Sequence, residues 1–293
     1  MNKGCRPWNN IGVILTDVFG RPIGVGPTPR GPVDNVPILA DSIDYTGCRL
    51  DPGGQSRLTL MGGWRLSDDS CSVSLPLACQ RVLALLALRG CVPRVVVTSM
   101  LWPDAEQQQA LGSLRTALWR IGNRSRRLVV SARADLALHP AVTVDIHDMV
   151  LAAERILDGR LSDITTIERD ARVVMSAPPE LLPGWFDDWA LFERERISLL
   201  RVGALDALAE RLLRLRRFAA ALAAALASVA ADPLRDSAHS AVIRVHLAAG
   251  NPAQAVAHFR TYQATLDREL GIPPSRQVRA LISGLVTRDA HQR

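Results

Sequence analysis

LWPDAEQQQALGSLRTALWRIGNRSRRLVVSARADLAL, residues 101–138, holds the pattern on which the fold turns. Pro103 has no N–H to donate, so Trp102-Pro103 ends whatever helix precedes it. Asp104 stands at an N-cap position with Gln107 three residues on, a capping-box spacing that predicts a helix from there to about Gly122. Its apolar stripe is Ala110, Leu111, Leu114, Ala117, Leu118 and Ile121, the i, i+3, i+4, i+7 rhythm of an amphipathic helix. The same period puts Gln108, Gly112, Arg115, Thr116, Trp119 and Asn123 on the opposite face, with Arg120 at the border. Residues 128–130 and 136–138 flank a turn at 132–135 and read as a β-hairpin.

Working outward, residues 58–66 read as two short strand-like runs around Gly62-Gly63, and residues 72–75 as a further strand. Residues 77–88 form a nearly continuous apolar helix closed by Gly90 as C-cap. Residues 95–101 give a shorter second helix. Strands, three helices and a hairpin, in that order, are the plan of a winged helix-turn-helix over residues 56–145, in which the third helix reads the major groove and the hairpin is the wing.

Charge falls in the same place. Between Glu106 and Asp135 there is no acidic residue but there are six arginines: Arg115, Arg120, Arg124, Arg126, Arg127 and Arg133. Residues 57–145 hold 11 arginines against 6 acidic residues, a net of +5 out of +6 for the whole chain of 293 residues. A concentrated excess on a helix face and hairpin suits a duplex phosphate backbone, whereas a uniform one says little beyond solubility.

Composition excludes several classes of chemistry. Lysine occurs once, at Lys3, which removes P-loops, kinases and Schiff-base enzymes that need a lysine in a folded site. There is no G-x-S-x-G elbow and no H-E-x-x-H helix. The five cysteines, Cys5, Cys48, Cys71, Cys79 and Cys91, form no C-x-x-C, and Cys79 is expected to pack as a small hydrophobe. His239, His246 and His258 are spaced as packing or surface histidines and make no tight ligand set. Neither catalytic residues nor a metal site nor a cofactor is expected. No apolar run approaches the ~20 residues of a membrane span, and no signal-peptide core is present, so a cytoplasmic protein with no membrane partner is expected.

Residues 1–55, with five prolines between 22 and 37 and no sustained period, are expected to be a disordered N-terminal extension. Residues 146–293 are rich in Ala and Leu and read as helix pairs. At an offset of 34, Arg217-Phe218 aligns with Asn251-Pro252, Leu213 with Leu247, Ala221 with Ala255, Leu222 with Val256 and Ala225 with Phe259. That is the period of tetratricopeptide repeats. Trp185, Trp189 and Phe192 are spaced to anchor the first of these helices in the core. Asp187, Asp188, Glu193 and Glu195, interleaved with Arg194 and Arg196, read as a solvated, charge-paired helix. The fold class is thus mainly α with small β elements: a winged helix-turn-helix followed by an α-helical tetratricopeptide-like repeat domain.

Several of these motifs occur in a known order. LTLMGGWRL at 58–66, LWPDA at 101–105 and LRTALWR at 114–120 resemble the SARP activators of actinomycete secondary metabolism, with their OmpR-type winged helix. LLPGWFDDW at 181–189 and FERER at 192–196 resemble the start of the bacterial transcriptional activator domain that follows it, and ADPLR at 231–235, Gly250-Asn251 and ELGI at 269–272 resemble its later repeats. The similarity covers about 57–290. It implies binding to double-stranded promoter DNA at direct repeats by more than one protomer, recruitment of RNA polymerase, and control of a secondary-metabolite gene cluster. Two places depart from the family: the 55 leading residues, and the β-branched stretch at 91–97 where members carry a more polar start to the second helix.

On this reading Arg115, Thr116 and Asn123 face base edges, and Arg115 suits guanine O6 and N7. Gln108 lies near the helix N-terminus, where backbone N–H groups favour a phosphate. Arg120, Arg124, Arg126 and Arg127 position the backbone, and Arg133 at the wing tip reaches the minor groove. Trp119 either packs against sugar or buries against the neighbouring helix; Trp102 belongs to the core. The bland alternative is a merely solvated helix face. Two other classes stay open: a helical-repeat interaction scaffold that has lost DNA binding, and an enzyme hidden in the helical half.

Overall fold

A computed structural model describes residues 56–68, 71–125, 128–132, 134–159, 163–178 and 180–286 of the chain. The expectation for residues 1–55 lies outside them. Contacts divide the chain into two compact units, one built on Ser56 and Leu66–Thr143, the other on Arg57–Arg65 and the residues from Val144 on.

The first unit contains most of β2 (Arg65–Asp68), β3 (Cys71–Ser72), α1 (Leu77–Arg89), β4 (Val92–Pro93), α2 (Arg94–Leu101), α3 (Gln107–Arg124), β5 (Val129–Ala132) and β6 (Asp135–Leu138). Strand β1 (Ser56–Thr59) precedes them, and β7 (Thr143–Val144) closes the unit. β2 and β3 pair antiparallel, Ser67 opposite Ser72. A three-stranded antiparallel sheet runs β4-β6-β5, with Val92 opposite Leu136 and Val129 opposite Leu138. Neither β4 nor β7 was expected, and the strand expected over 72–75 is the shorter β3, Cys71–Ser72.

Helix α1 buries Cys79, Val82, Leu83, Ala84, Leu85, Leu86 and Ala87. Gly90 ends it at φ 74, donating to Leu86 O, a conformation that glycine adopts without strain. Against α1 pack Ala110, Leu114, Ala117 and Ile121 of α3, and Val97 and Leu101 of α2. Fully burying one Val, Leu or Ile contributes about 1.5–3 kcal/mol, so this three-helix core is what fixes the orientation of α3. The Cys79 thiol donates to Ala117 O at 3.6 Å, and burial pushes its pKa up, as suits a packing residue.

The predicted start of α3 is corrected. Trp102-Pro103 forms a turn of its own, closed by Ala105 N–H to Trp102 O at 3.2 Å, and Asp104 lies inside that turn. The helix begins at Gln107 after Glu106, with no side-chain cap, and continues to Arg124. Trp102 is half-buried.

The second unit is helical: α4 (Asp145–Leu157), α5 (Ile164–Ser176), α6 (Asp188–Arg214), α7 (Phe218–Ala231), α8 (Asp236–Ala248), α9 (Pro252–Leu270) and α10 (Arg276–Val286). The segment around Gly62-Gly63 is laced to it. Leu60 N–H and Met61 N–H donate to the Asp145 carboxylate at 2.9 and 3.0 Å, Leu182 N–H donates to Leu60 O at 2.9 Å, and Gly62 N–H donates to Glu180 O at 2.7 Å. Gly62 has φ 71, and a Cβ there would meet Pro178 at 3.1 Å.

The 34-residue repeat is geometric as well as textual. Arg216 and Gly250, 34 apart, both sit at positive φ, 56 and 78. Arg217 N–H reaches Leu212 O and Asn251 N–H reaches His246 O, each at 2.9 Å. Ala221 and Ala255 are both fully buried. The small residues Ala221, Ala224, Ala225 and Ser228 let α7 lie close to its neighbours, and Ser228 donates to Asp206 at 2.7 Å.

At the start of α6, Trp189 is buried and meets Trp185 edge-on at 6.1 Å, as anchoring requires. Phe192 is 73% exposed, which corrects its expected place in the core: three residues past Trp189, it falls outside the Trp189–Glu193–Ile197 stripe. The charged helix is not simply solvated either. Arg194 donates to the carbonyls of Leu181, Leu182 and Trp185, and Glu193 is buried and paired with Arg196 at 2.7 Å.

His239 and His258, on α8 and α9, meet at 3.0 Å between Nδ1 and Nε2. His239 Nε2 lies 3.0 Å from Pro233 O, which can only accept, so Nε2 carries the proton and Nδ1 accepts from His258. Tyr262 stacks on His239 at 3.7 Å and donates to Asp236.

Candidate nucleic-acid interface

Helix α3 offers its polar side to solvent. Gln108, Arg115, Thr116, Trp119, Arg120, Asn123 and Arg124 are all exposed, while Ala110, Leu114, Ala117 and Ile121 hold the helix to its unit. Trp119 is 66% exposed, so it does not bury against a neighbouring helix of its unit and is available to a partner. Arg126, Arg127 and Arg133 lie outside the described residues.

Among the described residues, neither Arg115 nor Arg120 makes an ion pair, because the helix and the turn after it carry no acidic residue to receive one. An unpaired guanidinium on a solvated face keeps its five donors for an incoming oxygen. Thr116 donates its hydroxyl to Gly112 O at 3.0 Å, which leaves its oxygen lone pairs able to accept. Arg115 folds toward Gly112, whose lack of a side chain leaves the space open.

One residue of this surface escaped the sequence reading. Arg94, the first residue of α2, donates to Ser131 Oγ on β5 at 2.7 Å, and its N–H donates to Ala134 O at 2.8 Å. It thereby ties the start of α2 to the hairpin. With Gln108, Leu111, Leu114 and Arg115 it lines a concavity of about 300 Å3 beside the first turns of α3. Residue 94 precedes a run of valines, so no local pattern marked it; only the folding of the hairpin beside α2 brings it to this face.

The β-branched start of α2 forms a helix nonetheless. Val97 and Thr98 are buried, Val95 and Val96 are exposed, and Thr98 and Ser99 bond back to the carbonyls of Val95 and Val96. Among the described residues no group of three or more His, Cys, Asp or Glu is placed to hold a metal ion, and no helix is long and apolar enough to cross a membrane.

The fold and this face define a winged helix-turn-helix followed by a helical repeat half. Residues 177–285 match the family described as Bacterial transcriptional activator domain, the segment whose motifs carried the second half of the resemblance. The chain is also similar in fold to a solved structure of Mycobacterium tuberculosis EmbR in complex with a low-affinity phosphopeptide, with a TM-score of 0.58 and 21% sequence identity. That likeness covers 80% of this chain and 66% of the EmbR chain, just under two thirds of its length. No curated protein matches the chain. The domain match agrees with the second half of that resemblance, and the likeness to EmbR agrees with its fold.

Proposed function

We propose that the protein is a sequence-specific DNA-binding transcriptional activator of the SARP type, acting in the cytoplasm on promoter DNA. The observation that carries this reading is the acid-free, solvent-facing side of α3, with Arg115 and Arg120 unpaired and Trp119 exposed between them. Arg115 and Arg120 can be brought against phosphate without breaking an ion pair of their own, and neutralising the duplex releases its counterions. Arg115, Thr116 and Asn123 take base edges; Gln108, Arg120 and Arg124 hold the backbone, as do Arg126 and Arg127; Arg133 enters the minor groove from the wing. More than one protomer sits on direct repeats, and the 177–285 domain contacts RNA polymerase to activate a secondary-metabolite gene cluster.

Genome-wide mapping of binding sites in cells tests this reading. The expected result is a small set of promoters sharing a repeated element, reproduced by gel shift at moderate salt with the purified protein. Failure to retain any such promoter over random DNA at that salt would leave a helical-repeat scaffold in its place.

A further inference from the structure

The helical unit contains an open cavity of about 600 Å3 between α5, the end of α6 and the start of α7, within the size range of small-molecule sites. Its floor is Ala171 and Leu212, both buried, with Met175 and Phe218 half-buried beside them. Ala220 and Ala223 of α7 form the wall. The void exists because α7 presents methyl groups where larger side chains would close the gap to α5.

The rim is polar and of one predominant sign. Arg217 donates to Glu168 at 2.7 Å, joining the turn before α7 to α5. Arg172 donates through Nε to Glu168 O at 3.3 Å, and the Arg216 guanidinium lies 5.9 Å from the centroid of the Phe218 ring. Two guanidiniums, Arg172 and Arg217, therefore stand at the mouth against one carboxylate. The Arg217–Glu168 pair is about half exposed on both sides, so it is weak and exchangeable. An incoming anion meets Arg172 with its outer nitrogens unengaged and shares Arg217. The lining includes no nucleophile and no acid–base pair, so the cavity is built for binding and not for turnover.

We propose that this cavity binds a small amphiphilic monoanion, an apolar body about the size of a medium acyl chain or a fused bicyclic ring with one carboxylate or sulfonate held at Arg172 and Arg217. The site is read without reference to DNA, so its failure and that of the activator reading are separable. The probe is 1-anilinonaphthalene-8-sulfonate, titrated into the full chain and followed by fluorescence, with decanoate and decanol as competitors. Saturable binding of one dye is expected, displaced by decanoate about tenfold or more better than by decanol, since a charge-assisted hydrogen bond contributes that much. Ala223→Phe, which fills the cavity from an exposed position, and Arg172→Gln, on an exposed side chain, should each weaken the dye by about tenfold or more with an unchanged circular dichroism melt. Dye binding that persists undiminished in both variants, or equal displacement by decanol and decanoate, overturns the proposal.

Discussion

Arg115 and Arg120 lie on the same helix and face solvent alike, yet they are assigned different tasks, and substitution should separate them. Arg115→Ala is expected to lower discrimination between operator and random DNA by about 1–3 kcal/mol, the loss of one bidentate base contact, in a competition assay. Arg120→Ala is expected to weaken binding to every sequence and reduce the slope of log affinity against log salt by about one. Identical behaviour of the two variants would remove the division of labour. A second residue-scale expectation concerns His258. Burial lowers its pKa to about 4, with His239 and His246 opposing a further charge, against about 6.5 in an unfolded chain. The unfolded state binds the proton more tightly, so the contribution is intact above pH 6.5 and is lost as pH falls toward 4. Protonating His239 would also set two N–H groups face to face across the 3.0 Å contact. Thermal melts from pH 7 to 4.5 should therefore show a loss on the order of 2 kcal/mol that His258→Gln, which keeps a donor toward His239, largely removes. A wild-type melt insensitive to pH over that range would contradict it.

At the scale of elements, the two repeat turns solve one problem with different residues. Gly250 takes positive φ freely, whereas Arg216 holds φ 56 with a side chain. Arg216→Gly should accordingly raise stability by about 0.5–1 kcal/mol, read as a higher midpoint in thermal unfolding, because the relief of strain exceeds the entropy that glycine adds to the unfolded chain. A lowered midpoint would mean that the guanidinium over Phe218 contributes more than the backbone strain costs. The elements themselves were largely legible. Ala110, Leu114, Ala117 and Ile121 of the expected stripe are buried and its Leu111 and Leu118 are half-buried, Gly90 caps α1, and the hairpin stands where two short apolar runs flank a turn. The misreadings share a cause. Asp104 has the chemistry of a cap, but Pro103 commits the backbone to a separate turn; Phe192 has the chemistry of an anchor, but its angle on α6 turns it to solvent. Residue type alone does not carry phase.

For the whole molecule, the proposed arrangement of protomers on direct repeats makes a geometric prediction. Adding about 5 base pairs between two half-sites turns one of them to the opposite side of the duplex, and cooperative binding should fall, then recover with about 10. Binding indifferent to that spacing would mean that each protomer acts alone. By itself the sequence determined the order of elements, the location of the charge excess and the 34-residue repeat, because all three are written in the spacing of neighbours along the chain. Tertiary structure alone decided that residues 57–65 join the helical unit, that Arg94 reaches the α3 face through Ser131, that His239 and His258 touch, and that an apolar cavity with a cationic rim lies beside α7. Each of these joins residues distant in sequence, and such contacts are set by the packing of large side chains around them, which no local period records.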